Sequence, residues 1–379
     1  MKIIVLGAGL VGRPMAIDLS KDSKFEVSIA DINELSLKKI SSYKNIKTIC
    51  KDLSISDNVK QIIKDFDFVV NAVPGFMGFN TLKAIIEAKK NVVDITFFPE
   101  DLFLLNDLAK KNNVIVVSDI GVAPGMSNIL SAYADNLLDK TYDIKMYVGG
   151  LPKKRELPYE YKAVFSPADV IEEYTRPARF VRDKKIIVKP ALSDVELMDF
   201  PEIGTLEAFN SDGLRTLIYT VDAPNMIEKT LRYPGHVEKM KLLKDTGFFS
   251  KEEIEINNTK IAPLDFTSKL LFPKWELKEG EEDITIMRII VEGEKNGEKT
   301  IYTFDLYDEY DKETKIHSMA RCTGYTATTM LRMIVDGVYT KKGISAPEYI
   351  GLQPECVEYL LQGLKERGVV YRKNVTSIK

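Results

Sequence analysis

The feature that most constrains the fold is a glycine turn between a short apolar strand and a helix. The segment Gly7-Ala8-Gly9-Leu10-Val11-Gly12 follows the apolar run Lys2–Leu6, and a helix is predicted to begin near Arg13. Gly7 permits a tight turn, Gly9 lets a diphosphate approach the backbone, and Gly12 lets the helix pack closely on the strand. The turn therefore predicts a strand-helix-strand unit that binds a dinucleotide at the N-terminus of the helix.

The second predicted strand ends in an acidic residue, Asp31, which lies 19 positions after Gly12. An acidic side chain at this strand end accepts hydrogen bonds from the adenosine ribose hydroxyls and repels a 2′-phosphate. This favours NAD over NADP as the cofactor. The alternative is a glycine-rich turn in a domain of the same fold that binds no ligand.

Further cofactor contacts are expected where later strands end. Asp52 follows the third predicted strand and is a candidate contact for adenine, although an aspartate in a loop is more often only solvated. Asn71, Ala72 and Val73 end the fourth strand, at the edge of the sheet where the nicotinamide ribose is expected. The predicted cofactor-binding residues are Gly7, Gly9, Leu10, Val11, Gly12, Asp31, Asp52, Asn71, Ala72 and Val73.

From residue 2 to residue 119, short β-branched runs alternate with amphipathic segments, which is typical of a parallel sheet covered by helices. The predicted strands are Ile3–Leu6, Phe25–Ile29, Ile46–Ile49, Phe68–Val73, Val92–Ile95 and Val114–Val117. Six such strands predict an α/β domain with a Rossmann-type doubly wound parallel sheet.

Beyond Gly121-Val122-Ala123-Pro124-Gly125 this alternation stops. Longer amphipathic strands then predict an inserted α+β domain with a mostly antiparallel sheet, at residues 126–317. Its clearest signal is Asn296-Gly297, a two-residue turn between the strands Ile284–Val291 and Thr300–Leu306. Two helical segments follow, Tyr325–Val335 and Pro354–Arg367, and their periodicity leaves open which domain they complete.

Composition excludes several classes of function. Lys and Arg number 53 against 56 Asp and Glu, with the signs interspersed, so we expect no nucleic-acid partner. The chain enters its first strand directly and has no apolar stretch near the ~20 residues of a bilayer span, so we expect no membrane partner and a cytoplasmic location. Three dispersed cysteines and two histidines argue against a disulfide framework and a metal site.

The densest group of polar candidates is the segment Lys229–His236, where a strand leads into a Pro-Gly turn and a helix. His236 lies in the first helical turn, where the helix dipole favours a neutral imidazole that can accept a proton. Helix capping or core packing is the alternative role for this histidine. Because the chain has no nucleophile motif, hydride transfer by a bound cofactor is the chemistry that requires least from the protein.

Motifs along most of the chain resemble the saccharopine dehydrogenase-like family, and within it the lysine 6-dehydrogenases. They are GAGLVG, NAVPG, VVDIT, SDIGVAPGMSNIL, YVGGLP, LEAFNSDGLRTL, KTLRYPGHVEKMKLL and MARCTGYTATTM, in this order. The resemblance implies a Rossmann domain, residues 1–125 and 318–379, that is completed by the C-terminal helices. It also implies that residues 126–317 bind substrate and form a homodimer.

The resemblance further implies oxidation of the ε-amine of L-lysine, or of a related diamino acid, by NAD to a semialdehyde that cyclises, with release of ammonia. His236 is then the expected catalytic base, and Arg215 the expected clamp for the substrate carboxylate, unless it is an exposed loop arginine. Asp94 and Asp119 follow the fifth and sixth strands and could bind a substrate ammonium or cap helices. The predicted substrate-binding residues are Asp94, Thr96, Asp119, Gly121, Arg215 and Thr216.

One segment departs from the family pattern, namely Thr96-Phe97-Phe98-Pro99-Glu100, where lysine 6-dehydrogenases carry glycine and histidine. A more apolar pocket is expected there, and it leaves the identity of the amine open.

Two alternative functions remain. The first is a saccharopine or carboxynorspermidine reductase, which needs more cationic clamps, and Arg155, Arg176, Arg179, Arg215 and Arg232 are available for that purpose. The second is a non-catalytic NAD-binding redox regulator.

Overall fold

The computed structural model describes residues 1–278 and 280–378, which divide into two units. The first unit contains Met1–Asn136 and Met319–Val370. The second contains Leu137–Ser318 and the residues from Tyr371 onward. Strands and helices are numbered along the chain. Within the described residues, no helix combines the length and apolar character that crossing a bilayer requires.

The first unit is built on a sheet of seven parallel strands. They are β1 (Lys2–Leu6), β2 (Glu26–Asp31), β3 (Ile46–Cys50), β4 (Phe68–Asn71), β5 (Asn91–Asp94), β6 (Ile115–Val117) and β17 (Gly343–Ser345). Their spatial order is β17-β6-β5-β4-β1-β2-β3, so the six predicted strands and the doubly wound fold are confirmed. The seventh strand, β17, was not predicted, and it pairs in parallel with β6, which lies more than 220 residues earlier in the chain.

Helices cover this sheet. They are α1 (Gly12–Ser20), α2 (Glu34–Lys38), α3 (Ser56–Ile63), α4 (Gly75–Glu87), α5 (Asn106–Lys111), α6 (Met126–Leu137), α11 (Ser318–Val335), α12 (Pro347–Gly351) and α13 (Pro354–Glu366), with a 3₁₀ turn at Leu102–Leu105. One core packs β-branched side chains of the sheet, such as Ile4 and Val69, against apolar faces of α3, α4 and α5.

The C-terminal helices return to the first unit through one buried carboxylate. Asp18 on α1 is 4% exposed and accepts hydrogen bonds from Arg332 Nη1 at 2.7 Å, Arg367 Nε at 2.9 Å and Thr328 Oγ1 at 2.6 Å. Burial alone would raise the pKa of Asp18, but the two guanidinium groups hold it below its ordinary value. Removing either arginine would leave charge buried without a full set of partners.

The second unit contains a nine-stranded sheet. Its strands are β7 (Lys140–Pro152), β8 (Ala178–Arg182), β9 (Lys185–Lys189), β10 (Glu196–Phe200), β11 (Gly204–Asn210), β12 (Asn225–Arg232), β15 (Asp283–Lys295), β16 (Glu298–Glu309) and β18 (Tyr371–Ile378). The main order is β10-β11-β12-β7-β15-β16-β18, and among the described strands of this sheet only the β12–β7 pair is parallel. This confirms the mostly antiparallel sheet.

The predicted turn at Asn296-Gly297 joins β15 to β16. Both residues adopt positive φ, 54° and 79°, and Lys295 pairs with Glu298 across the turn. A two-residue hairpin turn of this kind matches the twist of its strands and selects Asn-Gly. A short separate hairpin, β13 (Ile254–Ile256) with β14 (Thr259–Ile261), completes the strands of this unit.

In the described part of this unit, the helices beside the sheet are α7 (Pro167–Thr175), α8 (Leu217–Thr220), α9 (His236–Asp245) and α10 (Pro263–Trp275). A core of large side chains joins α7, α9 and α10, including Tyr161, Tyr174, Phe209, Met240 and Trp275. Burial of so much aromatic surface fixes the helices relative to each other.

The boundaries of the units differ from the predicted domains. Residues 318–379 were assigned entirely to the nucleotide-binding domain, whereas Tyr371–Ile378 pairs with β16 in the second unit. The unpaired edge of β16 supplies a full antiparallel ladder for this segment, which lies far away in sequence. Helix α6 lies in the first unit up to Asn136, so the second unit begins eleven residues after the predicted position 126.

Candidate functional site

The three glycines of the first turn have different local environments. A side chain on Gly7, which has φ of 101°, would place Cβ 2.5 Å from the carbonyl oxygen of Ala72. On Gly12 it would lie 1.9 Å from the carbonyl oxygen of Gly7. On Gly9 it would meet no atom within 4 Å. Folding of the chain thus requires glycine at the first and third positions, while the second presents open backbone, as a diphosphate cradle does.

Asp31 is held at the end of β2 by two backbone donors. Its Oδ2 accepts the Ala8 N–H at 2.6 Å, and its Oδ1 accepts the Asn33 N–H at 2.8 Å. Each carboxylate oxygen keeps a lone pair for a further donor. No Lys or Arg occurs between Asp31 and Lys38 to neutralise an added phosphate. The Asp31 carboxylate is therefore fixed at the end of β2, and its contact with a ribose hydroxyl stays a prediction.

Arg13, which is not among the predicted site residues, also contacts this turn. Its Nη1 donates to the Ala8 carbonyl oxygen at 3.0 Å. Burial lowers the pKa of the guanidinium, and the charge of Asp31 acts in the opposite direction. Its position directly after Gly12 was the one signal available in the sequence.

The other predicted cofactor contacts divide into two groups. Asp52 accepts hydrogen bonds from the N–H and the hydroxyl of Ser54 in a local turn, and these bonds lower its pKa. Asp52 therefore stabilises this turn, and its contact with adenine stays a prediction. Leu10 and Val11 are half-buried where α1 begins. The backbone of Ala72 and Val73 closes against Gly7.

Asn71 is the clearest sign of a missing partner at this edge. It is fully buried, and among the described residues neither atom of its amide finds a hydrogen-bond partner. It lies in register between Leu6, which precedes the glycine turn, and Asp94 on β5. Buried amides in native proteins are almost always paired, so this side chain points to a ligand with both donor and acceptor groups.

Asp94 is a buried carboxyl group beside Asn71. Its Oδ1 accepts the N–H and hydroxyl of Thr96 at 2.9 and 2.6 Å, and its Oδ2 accepts the Ser118 hydroxyl at 2.9 Å. Burial raises its pKa to about 7 against these hydrogen bonds, with a smaller contribution from the charge of Asp119. The side chain can therefore gain or lose a proton near neutral pH. Ser118 was not selected from the sequence.

The loop after β6 is tightly closed. Gly121 donates to Pro124 O, Met126 donates to Gly121 O, and a side chain on Gly125 would collide with the Gly121 backbone. Asp119 is 2% exposed and has φ of 57°, a conformation that costs a non-glycine residue about 1–3 kcal/mol. Strain of this kind persists where the surrounding structure enforces it, often at ligand sites.

The segment expected to form a more apolar pocket contributes to the core. Phe98 is fully buried and packs edge-to-face on Phe79 of α4, with ring centroids 5.6 Å apart. Gly78 leaves space for Thr96, because a side chain there would lie 2.5 Å from its hydroxyl oxygen. Phe98 therefore packs in the core of the first unit.

His236 belongs to the core of the second unit. Its ring is 1% exposed, with Nε2 2.9 Å from the Tyr174 hydroxyl and Nδ1 3.1 Å from the Tyr159 carbonyl oxygen. Burial and the nearby Arg232 lower its pKa to about 3. Both nitrogens have partners and the ring is buried, which favours the alternative of a hydrogen-bonded core histidine, and the role as catalytic base stays a prediction.

Arg215 and Thr216 lie in the loop between β11 and α8. Arg215 is 6% exposed with φ of 53°, and Thr216 precedes the first residue of α8. Nearby, Asp212 forms a bidentate pair with Arg179, at 2.8 and 3.0 Å. The loop thus holds an arginine in an enforced conformation, which agrees with the position of the predicted clamp but leaves its role a prediction.

Among the described residues, no three or more His, Cys, Asp or Glu side chains are arranged as metal ligands. The site of the first unit consists of the open backbone at Gly9, the fixed carboxylate of Asp31, the unpaired amide of Asn71 and the titratable carboxyl of Asp94.

Family models and curated relatives place the chain in the same family. The family model described as saccharopine dehydrogenase C-terminal domain matches residues 121–369, and the one described as saccharopine dehydrogenase NADP binding domain matches residues 3–117. The NADP(+)-dependent, L-glutamate-forming saccharopine dehydrogenase of Pyricularia oryzae is 24% identical, over 99% of both chains. Carboxyaminopropylagmatine dehydrogenase of Synechocystis is 22% identical, over 97% of this chain and 98% of that protein.

A solved structure has the same fold. Apo saccharopine dehydrogenase (L-Glu forming) from Saccharomyces cerevisiae superposes with a TM-score of 0.80 over 99% of both chains, at 20% sequence identity. At this identity the likeness concerns the fold.

Proposed function

The chain belongs to the saccharopine dehydrogenase family, and from this premise we propose that it oxidises the ε-amine of L-lysine, or of a related diamino acid, with NAD. The products are the semialdehyde, which cyclises, and ammonia. The family and the fold of the first unit support a nicotinamide cofactor. That the cofactor is NAD, and that the amine is lysine, are proposals. The predicted homodimer also remains a proposal.

The choice of NAD rests on Asp31. Its carboxylate is fixed by Ala8 and Asn33, and no basic residue follows within six positions. A 2′-phosphate beside this carboxylate would add repulsion with no compensating cation. The relative from Pyricularia oryzae is named for NADP(+), so cofactor preference is a property on which this chain is proposed to differ.

The observation that carries the proposed reaction is Asp94. It is a buried carboxyl group with pKa of about 7 at the carboxyl end of β5, with Asp119 following β6. Ligands of doubly wound sheets bind at this edge. A carboxylate here can bind a substrate ammonium, and with a pKa near 7 it can also accept a proton from it.

The chemistry requires little more from the protein. When bound, the nicotinamide supplies the hydride acceptor. The substrate nitrogen must first lose a proton, because a cationic nitrogen cannot donate electrons as the carbon–hydrogen bond breaks, and Asp94 is the proposed acceptor of that proton. Thr96 and Ser118 hold the carboxyl oxygens in place. Water then adds to the iminium carbon, ammonia leaves, and the aldehyde is released.

We propose Arg215 as the residue that recognises the substrate carboxylate, because a guanidinium can meet a carboxylate through two parallel hydrogen bonds. Its backbone is fixed at φ of 53° in the loop between β11 and α8. Ion pairs within this unit hold Arg155 to Glu160, Arg176 to Glu172, Arg179 to Asp212, and Arg232 to Glu173.

The test is to follow NADH or NADPH formation by purified protein with lysine, ornithine, diaminopimelate, saccharopine and the decarboxylated diamine cadaverine. Lysine or another diamino acid with NAD is the expected pair. Turnover of saccharopine with NADP, but not of lysine, would replace the proposal with the reductase alternative. Tight NADH binding without turnover of any compound would favour the redox regulator.

A further inference from the structure

Glu228 is a fully buried acid that the proposed chemistry does not use. It lies on β12, one residue before the part of the strand that pairs with β11 through Lys229 and Asn210. Beyond Asn210 the chain leaves the sheet and enters the loop that carries Arg215 and Thr216. Glu228 therefore lies next to the point where the chain after β11 stops pairing with β12.

The side-chain carboxyl group of Glu228 accepts hydrogen bonds from this part of the chain, which among the described residues has no neighbouring strand to pair with. Its Oε2 accepts the Ser211 hydroxyl at 2.8 Å and the Gly213 N–H at 3.1 Å. Ser211 also contacts the Thr230 hydroxyl at 2.6 Å, on the same face of β12. A side chain on Gly213 would place its Cβ 2.4 Å from the Glu228 carboxyl carbon, so only glycine permits this approach.

A second anchor holds the same loop from the side. Asp212, between the two residues bound by Glu228, forms the bidentate pair with Arg179 on β8. Three residues after Asp212, Arg215 adopts its left-handed φ of 53°. A strained backbone conformation is stable only when flanking contacts determine it, and these two anchors hold the backbone on the N-terminal side of Arg215.

We propose that Glu228 is a positioning residue that fixes the Ser211–Gly213 backbone and so presents Arg215 to the substrate carboxylate. The substrate part of this inference rests on the proposed function. Burial raises the pKa of Glu228 to about 8, with smaller contributions from the charges of Glu173 and Asp212, against the hydrogen bonds from Ser211 and Gly213. A neutral amide acceptor is therefore a close mimic of this side chain at neutral pH.

The experiment compares two variants of nearly equal shape in the full-length protein. Glu228→Met removes the acceptor, and Glu228→Gln keeps one. Hydrogen exchange of the Gly213 amide should be about tenfold faster in the Met variant, because its direct acceptor is lost, and close to wild type in the Gln variant. If the Met variant does not fold, Ser211→Ala replaces it, because it removes one of the two contacts of Glu228. Its Gly213 exchange rate should lie between those of wild type and the Met variant.

Steady-state kinetics supply the second measurement. In the Met variant KM for the diamino acid should rise about tenfold, with kcat and the Kd for NADH nearly unchanged, and the Gln variant should restore KM. The preference for lysine over cadaverine should fall in parallel, because cadaverine lacks the carboxylate. Glu207→Ala is the matched control, since Glu207 is a buried acid on β11 that binds Gly235 N and Val237 N instead.

The outcomes separate the two claims. Equal exchange at residues 213–216 in the Met and Gln variants would overturn the positioning role. Faster exchange with an unchanged KM would show that the loop is positioned but does not bind substrate, and would overturn the substrate part. If the wild-type protein oxidises none of the compounds, the proposed function has failed and the substrate part falls with it, while Gly213 exchange still decides the positioning role.

Discussion

The Nε2 atom of His236 lies 2.9 Å from the hydroxyl oxygen of Tyr174, a residue 62 positions earlier in the chain. This contact, with Nδ1 facing the Tyr159 carbonyl, gives the imidazole two structural partners. His236→Ala should therefore lower the free energy of unfolding by about 2–4 kcal/mol, through cavity formation and lost hydrogen bonds. In the folded fraction, kcat should stay within about tenfold of wild type.

Urea unfolding and kinetics at low temperature measure the two effects separately. Tyr174→Phe, which removes one partner only, should have a smaller effect, about 1 kcal/mol. A fall in kcat of ~10²-fold or more with unchanged stability would return His236 to the role of base.

Acid should weaken the second unit through the same histidine. The pKa of His236 is lowered to about 3 in the folded chain, against about 6.5 when unfolded. The unfolded state therefore binds the additional proton, and stability falls as the pH drops from about 6.5 toward 3. The pH dependence of unfolding monitored by the single tryptophan, Trp275 in this core, should show the loss, and His236→Ala should reduce it.

The two glycines Gly9 and Gly12 should respond differently to alanine. Gly9→Ala should fold normally, because its Cβ meets no protein atom within 4 Å, yet NADH affinity should fall by at least about tenfold, because the methyl group occupies the approach to the backbone. Gly12→Ala should destabilise the first unit, because its Cβ would lie 1.9 Å from Gly7 O. Thermal unfolding and NADH fluorescence titration measure both, and unchanged NADH affinity in Gly9→Ala would place the diphosphate elsewhere.

Asp31 should determine cofactor preference. Asp31→Ser removes the carboxylate that we propose to face the ribose, so the Kd for NADH should rise about tenfold or more and the Kd for NADPH should fall. Asp52→Asn is the matched control, because Asp52 is engaged by Ser54. Fluorescence titration with both reduced cofactors gives the ratio, and an unaltered ratio in Asp31→Ser would mean that other residues discriminate.

Asp94→Asn should separate activity from stability. The variant should lower kcat/KM by ~10²-fold or more, because an amide cannot accept the proton. Wild-type activity should rise with pH through about 7, as the carboxyl ionises.

The pKa of Asp94 in the folded chain is raised above the unfolded value of about 4. Its contribution to the free energy of unfolding at low pH, roughly 4 kcal/mol at most, is therefore lost as the pH rises from about 4 to 7.

Asn at this position does not ionise, so Asp94→Asn should be more stable than wild type at pH 8 in chemical unfolding. Ser118→Ala is the companion variant, and removing one hydrogen bond to the carboxylate should raise the pH midpoint of activity. A pH profile of kcat/KM that is the same in wild type and Ser118→Ala would count against Asp94 as the titrating group.

Local patterns in the sequence predicted the first unit well. The six strands from β1 to β6 were found because a strand buried on both faces is a continuous apolar run, and the glycine turn was found because its requirements are local. The hairpin at Asn296-Gly297 was predictable for the same reason. Strands β17 and β18 were missed, because each is defined by a partner strand far away in sequence.

The polar residues were predicted less well. Asp94, Asp119 and Arg215 were selected as acids at strand ends and as an arginine in a loop, but their burial and backbone strain had no local signal. Ser118 and Glu228 were missed, since a serine and a glutamate at strand positions are not unusual until their partners are known. His236 was correctly placed at a helix start, yet its partners come from Tyr159 and Tyr174 on other segments.

The sequence by itself determined the doubly wound sheet, the dinucleotide turn from Gly7 to Gly12, the acid at Asp31 and the family, because each depends on residues near one another in the chain. Only the tertiary structure decided which polar groups lack partners and which are occupied. Within the described residues it left the amide of Asn71 unpaired, raised the pKa of Asp94 and enclosed His236 among aromatic rings. The physical reason is that desolvation and hydrogen bonding depend on neighbours brought together by strand order and helix packing, which one segment of sequence does not contain.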